Sequence, residues 1–469
     1  MIPSFLLTAI EERAQRVILL DMVLRDGGAQ FFELGILELR AVALRYAAGG
    51  GQVGKLILDH GQILAGQAIA GLISHVVSLL FIGTQTVFPG FARIMRCFME
   101  NWKAKMYRLS LHALPRPAYT KENALIGDVP QKDEIVRALR SLRVVGATVA
   151  VFDEKGVTGA LAVGQLGKGK SDALIDTVYR VASVTKHVTA LCCYRLHEAG
   201  KINLDADVDA YLPCSLRHPK KPDLPVTLRR LISHTAGIHD GTLYNALLFK
   251  GEKLSQMMQG DSFTENPTAF EYSNLGAGIV ACVLEGMLQK SFEEIMQEAV
   301  FGPLKVRATF LPQKVEGELA DAWRILPPSK QANYDAAARR AQPLPKLSVD
   351  TEHHYLWSQG NLCISAPDLA KIGVEMMKER YAPLRKMVAP FGARAYNLSM
   401  GLGTFIVEDK EICSQKVYGH QGLAYGAVHG LFYDPAAKKG VVVLTSGCSE
   451  ARNGVLADLN KAMMKKVFQ

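Results

Sequence analysis

Ser183 and Lys186, in Ser183-Val184-Thr185-Lys186, follow an extended run from Val178 to Ala182 and lead into an apolar stretch that ends at Gly200. The pattern predicts a helix from about Ser183 through Leu196, and three-residue spacing sets the hydroxyl and the amine on one helical face. A nucleophile beside a base is the equipment of covalent acyl transfer. A helix start also offers free N–H groups and the positive end of the dipole to a developing oxyanion. Ser-x-x-Lys alone is weak, since about one match is expected by chance in a chain this long. Its ordinary reading is an N-cap serine with a solvated lysine. Two companions change that weighting: Tyr272-Ser273-Asn274, the only Tyr-x-Asn in the chain, and His420-Gln421-Gly422, placed between a strand-like run and the glycine-rich segment Leu423 to Gly426.

The elements that must position these groups are legible from about Pro130 onward. A helix is expected around Asp133 to Leu142, then a strand, Val144 to Phe152, a turn at Asp153 to Gly156, and a hairpin partner, Val157 to Val163. Far along the chain, Gly401 to Val407, Val428 to Tyr433 and Gly440 to Thr445 read as three more strands, closed by a helix from about Gly454 to Phe468. The sheet is therefore built from both ends of this region. A mainly helical stretch, about 194 to 395, is inserted between them and broken by connectors such as Pro219 to Pro225 and Pro327-Pro328. The fold class is α+β, an antiparallel sheet flanked by helices.

The order of the three groups and the separations between them, together with Tyr179 to Thr189, Gly200 to Asp205, Thr227 to Gly237 and Phe270 to Gly278, carry a family likeness. The region from about 135 to 465 resembles the serine β-lactamase and penicillin-binding protein superfamily, and is most similar to its class C β-lactamase, DD-peptidase and esterase branch. The resemblance implies roles. Ser183 attacks a carbonyl to form an acyl-enzyme, and Lys186 and Tyr272 share removal and return of its proton, with the choice of base left open. Asn274 hydrogen-bonds a substrate amide or Lys186. The backbone N–H groups of Ser183 and Leu423 form the oxyanion hole, with Leu423 directly after His420 and Gly422. Lysine ordinarily titrates near 10.4 and tyrosine near 10, so one must be shifted to act as a base at neutral pH. His420 stands where β-lactamases carry lysine, a substitution similar to that of family esterases and peptidases; protonated, it would polarise a substrate carboxylate. Gln421 departs from the usual small hydroxyl residue, which argues against β-lactam hydrolysis as the main activity. His239-Asp240-Gly241 is a second His-x-Gly in the wrong order, and His234 is expected to serve the structural turn at Thr235 to Gly237.

Composition bounds the rest. The 469 residues carry a formal charge of +9 and 49% hydrophobic residues, an ordinary globular balance that excludes disorder and coiled coil. The basic charge is scattered, as at Lys220-Lys221, Arg339-Arg340 and Lys465-Lys466, without interleaved aromatics, so no nucleic-acid partner is expected. None of the eight cysteines forms a Cys-x-x-Cys pair or zinc spacing, and a metal role for His353-His354 has little support, so neither metal nor cofactor is expected. Buried thiols in a reducing, cytoplasmic compartment are expected instead. The N-terminus lacks the form of a secretory signal. Residues 1–110 read as a helical extension of unknown role, or as an over-extended reading frame, with a candidate membrane segment at 64–82; the basic residues from Arg93 to Arg108 would leave the downstream region in the cytoplasm. The catalytic region is placed at 125–469. The reading is a serine hydrolase acting on esters or amides of small molecules or D-residue peptides. An acyltransferase using the same intermediate is the catalytic alternative, and a membrane-attached or assembly-forming scaffold is the non-catalytic one. Oligomeric state is open.

Overall fold

The computed structural model describes residues 104–247, 251–326, 329–330, 336–392, 395 and 397–469. The candidate membrane segment at 64–82 and most of the expected extension lie outside them. A helix over 104–113 (α1) opens the described part, and its Arg108 forms a two-pronged ion pair with Asp458, at 2.7 and 2.8 Å. Among the described residues no single helix is long and apolar enough to cross a membrane.

The strands are β1 (Ala124–Gly127), β2 (Gly146–Asp153), β3 (Gly156–Gly164), β4 (Val178–Arg180), β5 (Ala308–Thr309), β6 (Trp323–Arg324), β7 (Ser329–Lys330), β8 (Cys363–Ser365), β9 (Ala389–Pro390), β10 (Leu398–Met400), β11 (Phe405–Val407), β12 (Val417–Ala424), β13 (Ala427–Asp434) and β14 (Lys439–Cys448). The longer helices are α2 (Lys132–Ser141), α3 (Val184–Glu198), α4 (Asn274–Leu288), α5 (Ala366–Met377) and α6 (Asp458–Phe468). The main sheet runs β1-β3-β2-β14-β13-β12-β11-β10-β9, with β6 added parallel to β14 and β7 paired to β6. Its centre joins the two ends of the region, for Val149 of β2 stands opposite Val443 of β14. This is the expected antiparallel α+β fold with a mainly helical insertion.

Alternation along the central strands explains the layers, because successive side chains leave a strand on opposite faces. Ala150 and Phe152 of β2, Leu431 and Tyr433 of β13, and Val442 and Leu444 of β14 point into a core shared with α3, α4 and α5. Val149, Val151, Val428, Phe432, Val441 and Val443 point into a second core closed by α2 and α6. Each fully buried Val, Leu or Phe contributes about 1.5–3 kcal/mol relative to exposure, so the two cores fix the register of the sheet. Two boundaries differ from the sequence reading. The run Gly401 to Val407 is no continuous strand: Gly403 takes φ +58°, its N–H donates to Ile232 O at 2.9 Å, and Gly401 to Thr404 become the turn of the β10–β11 hairpin. The last helix starts at Asp458 rather than near Gly454, which itself lies at φ +70°.

A small second sheet, in the order β4-β8-β5, places the segment before β8 against the segment after β4. The N–H of Val181 donates to Leu362 O at 2.9 Å, and that of Leu362 to the Thr185 hydroxyl at 3.2 Å. Inside α4 the fully buried Glu285 accepts from the N–H groups of Phe292 and Asp350, each at 2.6 Å, and binds His354 Nδ1 at 2.7 Å. These bonds hold residues 350–358 on α4 and so bring Gln359 toward the start of α3.

Candidate active site

Ser183 sits at the N-cap of α3 with helical φ and ψ, and its side chain caps nothing. The residue before it, Ala182, has φ +47°, a left-handed conformation that costs a non-glycine residue about 1–2 kcal/mol. The chain thus turns sharply from β4 into the helix at Ser183. The turn is pressed against β12: a Cβ at Gly422 would lie 2.2 Å from Val181 O, so only glycine lets the strand pass this close. That contact sets Gly422 and Leu423 beside Ser183. Leu423 is half-buried and pairs with Val428.

Lys186 is 4% exposed, against the ordinary expectation of a solvated lysine. Its ammonium spends all three donors: on Ser183 Oγ at 3.0 Å, Asn274 Oδ1 at 2.9 Å and Gln359 O at 2.7 Å. It also lies 5.2 Å from the centre of the Tyr272 ring. Burial lowers Lys186 to about 7, with the Asp240 carboxylate opposing that fall and the Arg180 guanidinium adding to it. Tyr272 goes the other way, for burial pushes its phenol well above its ordinary value, and contact with Ser183 offsets part of the rise. Of the two groups only the lysine is moved toward neutrality.

Asn274 therefore bonds Lys186, one of the two partners expected for it. Its Nδ2 donates to Asp240 Oδ2 at 2.8 Å, while Asp240 Oδ1 accepts from the Ser273 hydroxyl and the Leu275 N–H, both at 2.9 Å. Ser273 caps α4 by accepting from Gly276 N at 2.9 Å. Tyr272 is bracketed by His234: Glu271 N–H donates to His234 O at 2.9 Å, Ser273 N–H to His234 Nδ1 at 3.2 Å, and the two rings lie 4.4 Å apart. His234 has φ +58°, and burial lowers its imidazole to about 3. A turn role alone is thus too little for His234, because its ring also touches the tyrosine. Gln359 and Asp240 are site residues that sequence reasoning misses. The Gln359 contribution is a backbone carbonyl, which no residue type announces. Asp240 is masked by its neighbours, since His239 and Gly241 give the segment its pattern.

His420 and Gln421, neighbours on β12, have different surroundings. His420 is fully buried among Phe405, Tyr272 and His187, with ring centroids 4.1, 6.1 and 6.5 Å away. Its Nδ1 donates to Gln421 O at 2.6 Å, and burial first, then the charges of His187 and Lys186, holds it well below the ordinary imidazole value. A neutral imidazole replaces the cation that would grip a carboxylate. Gln421, one residue on, faces the opposite side of the sheet: Nε2 donates to Val455 O at 2.6 Å, and Oε1 accepts from Ala457 N at 3.0 Å and Asn460 Nδ2 at 3.2 Å. It fastens α6 to β12 and presents nothing to the serine. Among the described residues no His, Cys, Asp or Glu cluster could hold a metal ion, and the seven described cysteines are free.

Known proteins share this architecture. The family model described as Beta-lactamase matches residues 122–462. Protein flp of Staphylococcus aureus (strain N315) is 27% identical over 298 residues, 62% of this chain and 57% of the relative, so the chain spans little over half the length of that protein. Among solved structures, EstCE1, a hydrolase with promiscuous acyltransferase activity, is 22% identical with a TM-score of 0.55, over 71% of this chain and 98% of its own. The D-amino acid amidase from Ochrobactrum anthropi SV3 is 17% identical with a TM-score of 0.54, over 69% and 92%. At these identities the likeness is one of fold.

Proposed function

The chain belongs to the beta-lactamase family, and from that premise we propose that it is a serine hydrolase working through an acyl-enzyme on Ser183. The observation that carries the reading is the Lys186 amine, buried, lowered to about 7 and 3.0 Å from the Ser183 hydroxyl. Near neutral pH a large share of such an amine is unprotonated and can accept the serine proton. Ser183 Oγ then bonds to the substrate carbonyl carbon, and the oxyanion is received by the N–H groups of Ser183 and Leu423. As the bond to the leaving group breaks, that group takes back the proton through Lys186 or Tyr272. Water repeats the sequence in reverse and frees the acid. Tyr272, whose phenol stays protonated, fits the role of proton donor and relay better than that of resting base.

The proposed substrate class follows from the chemistry of β12 beside Ser183. With His420 neutral and Gln421 turned away, neither side chain of that strand offers a cation to a substrate carboxylate. Small esters and amides without a carboxylate next to the scissile bond are the substrates proposed, with β-lactams poor ones. Capture of the same acyl-enzyme by an alcohol or amine is the second reading, favoured by the fold likeness to EstCE1, described as having promiscuous acyltransferase activity. Placement in a reducing compartment is part of the proposal, in keeping with the free cysteines.

The test is labelling by a fluorophosphonate and a fluorescent penicillin in parallel, with the adduct located by mass spectrometry and Ser183→Ala as control. Labelling of Ser183 by the fluorophosphonate and weakly or not by the penicillin is expected. Equal labelling by both would restore the peptidase and β-lactam readings. Labelling by neither would transfer the case to the non-catalytic scaffold.

A further inference from the structure

We propose that Asp240 is a positioning residue of this site, fixing the Asn274 amide so that its oxygen faces Lys186 and holding the lysine's positive charge beside Ser183. The inference rests on the acyl-enzyme reading above. An asparagine amide has one acceptor and two donors, and either end could face the lysine. Only the oxygen end can take a bond from an ammonium. Asp240 decides the matter, because a carboxylate accepts but cannot donate, so Nδ2 must point at its Oδ2, 2.8 Å away, and Oδ1 must point at Lys186 Nζ, 2.9 Å away. The orientation is thus imposed by chemistry on both sides of the amide.

Asp240 is in turn held rigidly. Its other oxygen receives the Ser273 hydroxyl and the Leu275 N–H at the start of α4, where the helix dipole favours a negative charge. Asp240, Asn274, Lys186 and Ser183 form one unbroken line of bonds, in which Asp240 accepts from Asn274 and Lys186 donates both to Asn274 and to Ser183 Oγ. The titratable and charged groups acting on Lys186 from its surroundings are Asp240, Arg180 from β4, Tyr272 beside it, His234 from the turn before Thr235, and His420 from β12. The two imidazoles stay neutral, the phenol stays protonated and Arg180 repels, so Asp240 is the anion that keeps the ammonium tenable in a buried site. Facing Asp240 itself is the Tyr244 phenol, kept protonated by burial. Losing the carboxylate removes the attraction and frees Asn274 to turn its NH2 toward the lysine. Both effects lower the proton affinity of Lys186.

The full-length protein and its Asp240→Asn, Asp240→Ser and Asp240→Glu variants test this. Competitive acetylation with trace acetic anhydride across pH, read at the Lys186 peptide by mass spectrometry, reports the lysine's titration without requiring turnover. Asp240→Asn and Asp240→Ser are expected to lower the Lys186 midpoint by about one pH unit or more, a tenfold loss of proton affinity, and Asp240→Glu to restore most of it. The serine variant keeps an acceptor at the helix start and so guards against failure of the asparagine variant to fold. A structural role alone would lower the melting temperature and leave the midpoint in place, and an unmoved midpoint in either folded variant overturns the proposal. A shifted midpoint in a protein whose Ser183 never labels would sink the acyl-enzyme reading while leaving the positioning role standing.

Discussion

Two 15-residue helices, α3 and α4, each begin at a serine beside a residue of the site, and the two serines are used in opposite ways. Ser273 closes its helix: its oxygen takes the Gly276 N–H, and its hydroxyl donates to Asp240. Ser183 leaves its helix open, with its oxygen turned to Lys186 instead of the first-turn N–H groups. One helix start is committed to stability and positions the site. The other withholds its side chain from the cap: the first-turn N–H groups of Val184, Thr185 and Lys186 donate to the carbonyls of Val181, Ala182 and Ser183, and the hydroxyl is kept for Lys186. A serine at a helix start is therefore no evidence for either use until its hydrogen bonds are known.

The sharpest way to break this contrast is to remove each oxygen. Ser183→Ala should lower esterase turnover on the order of a thousandfold or more, while the melting temperature moves by about 1 °C or less, since no cap is lost. A marked loss of stability would show that Ser183 caps after all. Lys186→Met should be nearly as inactive yet more stable than the parent near neutral pH. The folded protein holds Lys186 at about 7 against an ordinary 10.5, so its burial cost is fully present below about 7 and disappears as pH rises toward 10.5. The stability gap between variant and parent, on the order of a few kcal/mol, should therefore shrink as denaturation is repeated from pH 7 upward; a gap independent of pH would contradict the depressed lysine. In the active parent, the acid limb of the pH–rate profile should lie near 7, the value of the group that must lose a proton.

Ser273→Ala should reverse the pattern of Ser183→Ala, costing about 1 kcal/mol of cap and lowering the melting temperature by about 2–4 °C, with activity reduced less than tenfold. Gln421→Leu completes the series. It should cost about 1–3 kcal/mol by stranding the Ala457 N–H and Asn460 amide, while turnover on an ester falls less than threefold. A large effect on activity alone would place Gln421 in the site and contradict its orientation.

These contrasts mark where the sequence is legible. The alternation of β2, β13 and β14, the sharp step from an extended run into a helix at Ser183, and the order of the three groups are written in local residue types, and they suffice for the fold and for bringing Ser183, Lys186, Tyr272, Asn274 and His420 together. What escapes depends on direction. Whether Lys186 lies in water or spends three bonds indoors is decided by Gln359 and Asn274, far along the chain. Whether His420 is charged depends on Phe405, His187 and the loss of water around it. Gly401 to Val407 has strand-like residues, but Gly403 is recruited by Ile232 and bends the run into a turn.

Because Val149 pairs with Val443 across the middle of the sheet, the order of synthesis matters. A ribosome delivers Ser183 and Lys186 long before the residues of β12 and β14, so the β2 edge waits unpaired through some 290 residues of growth. The strand β12, against which the turn before Ser183 packs, emerges only after the whole helical insertion. The interval leaves an exposed strand edge that chaperones would have to shield.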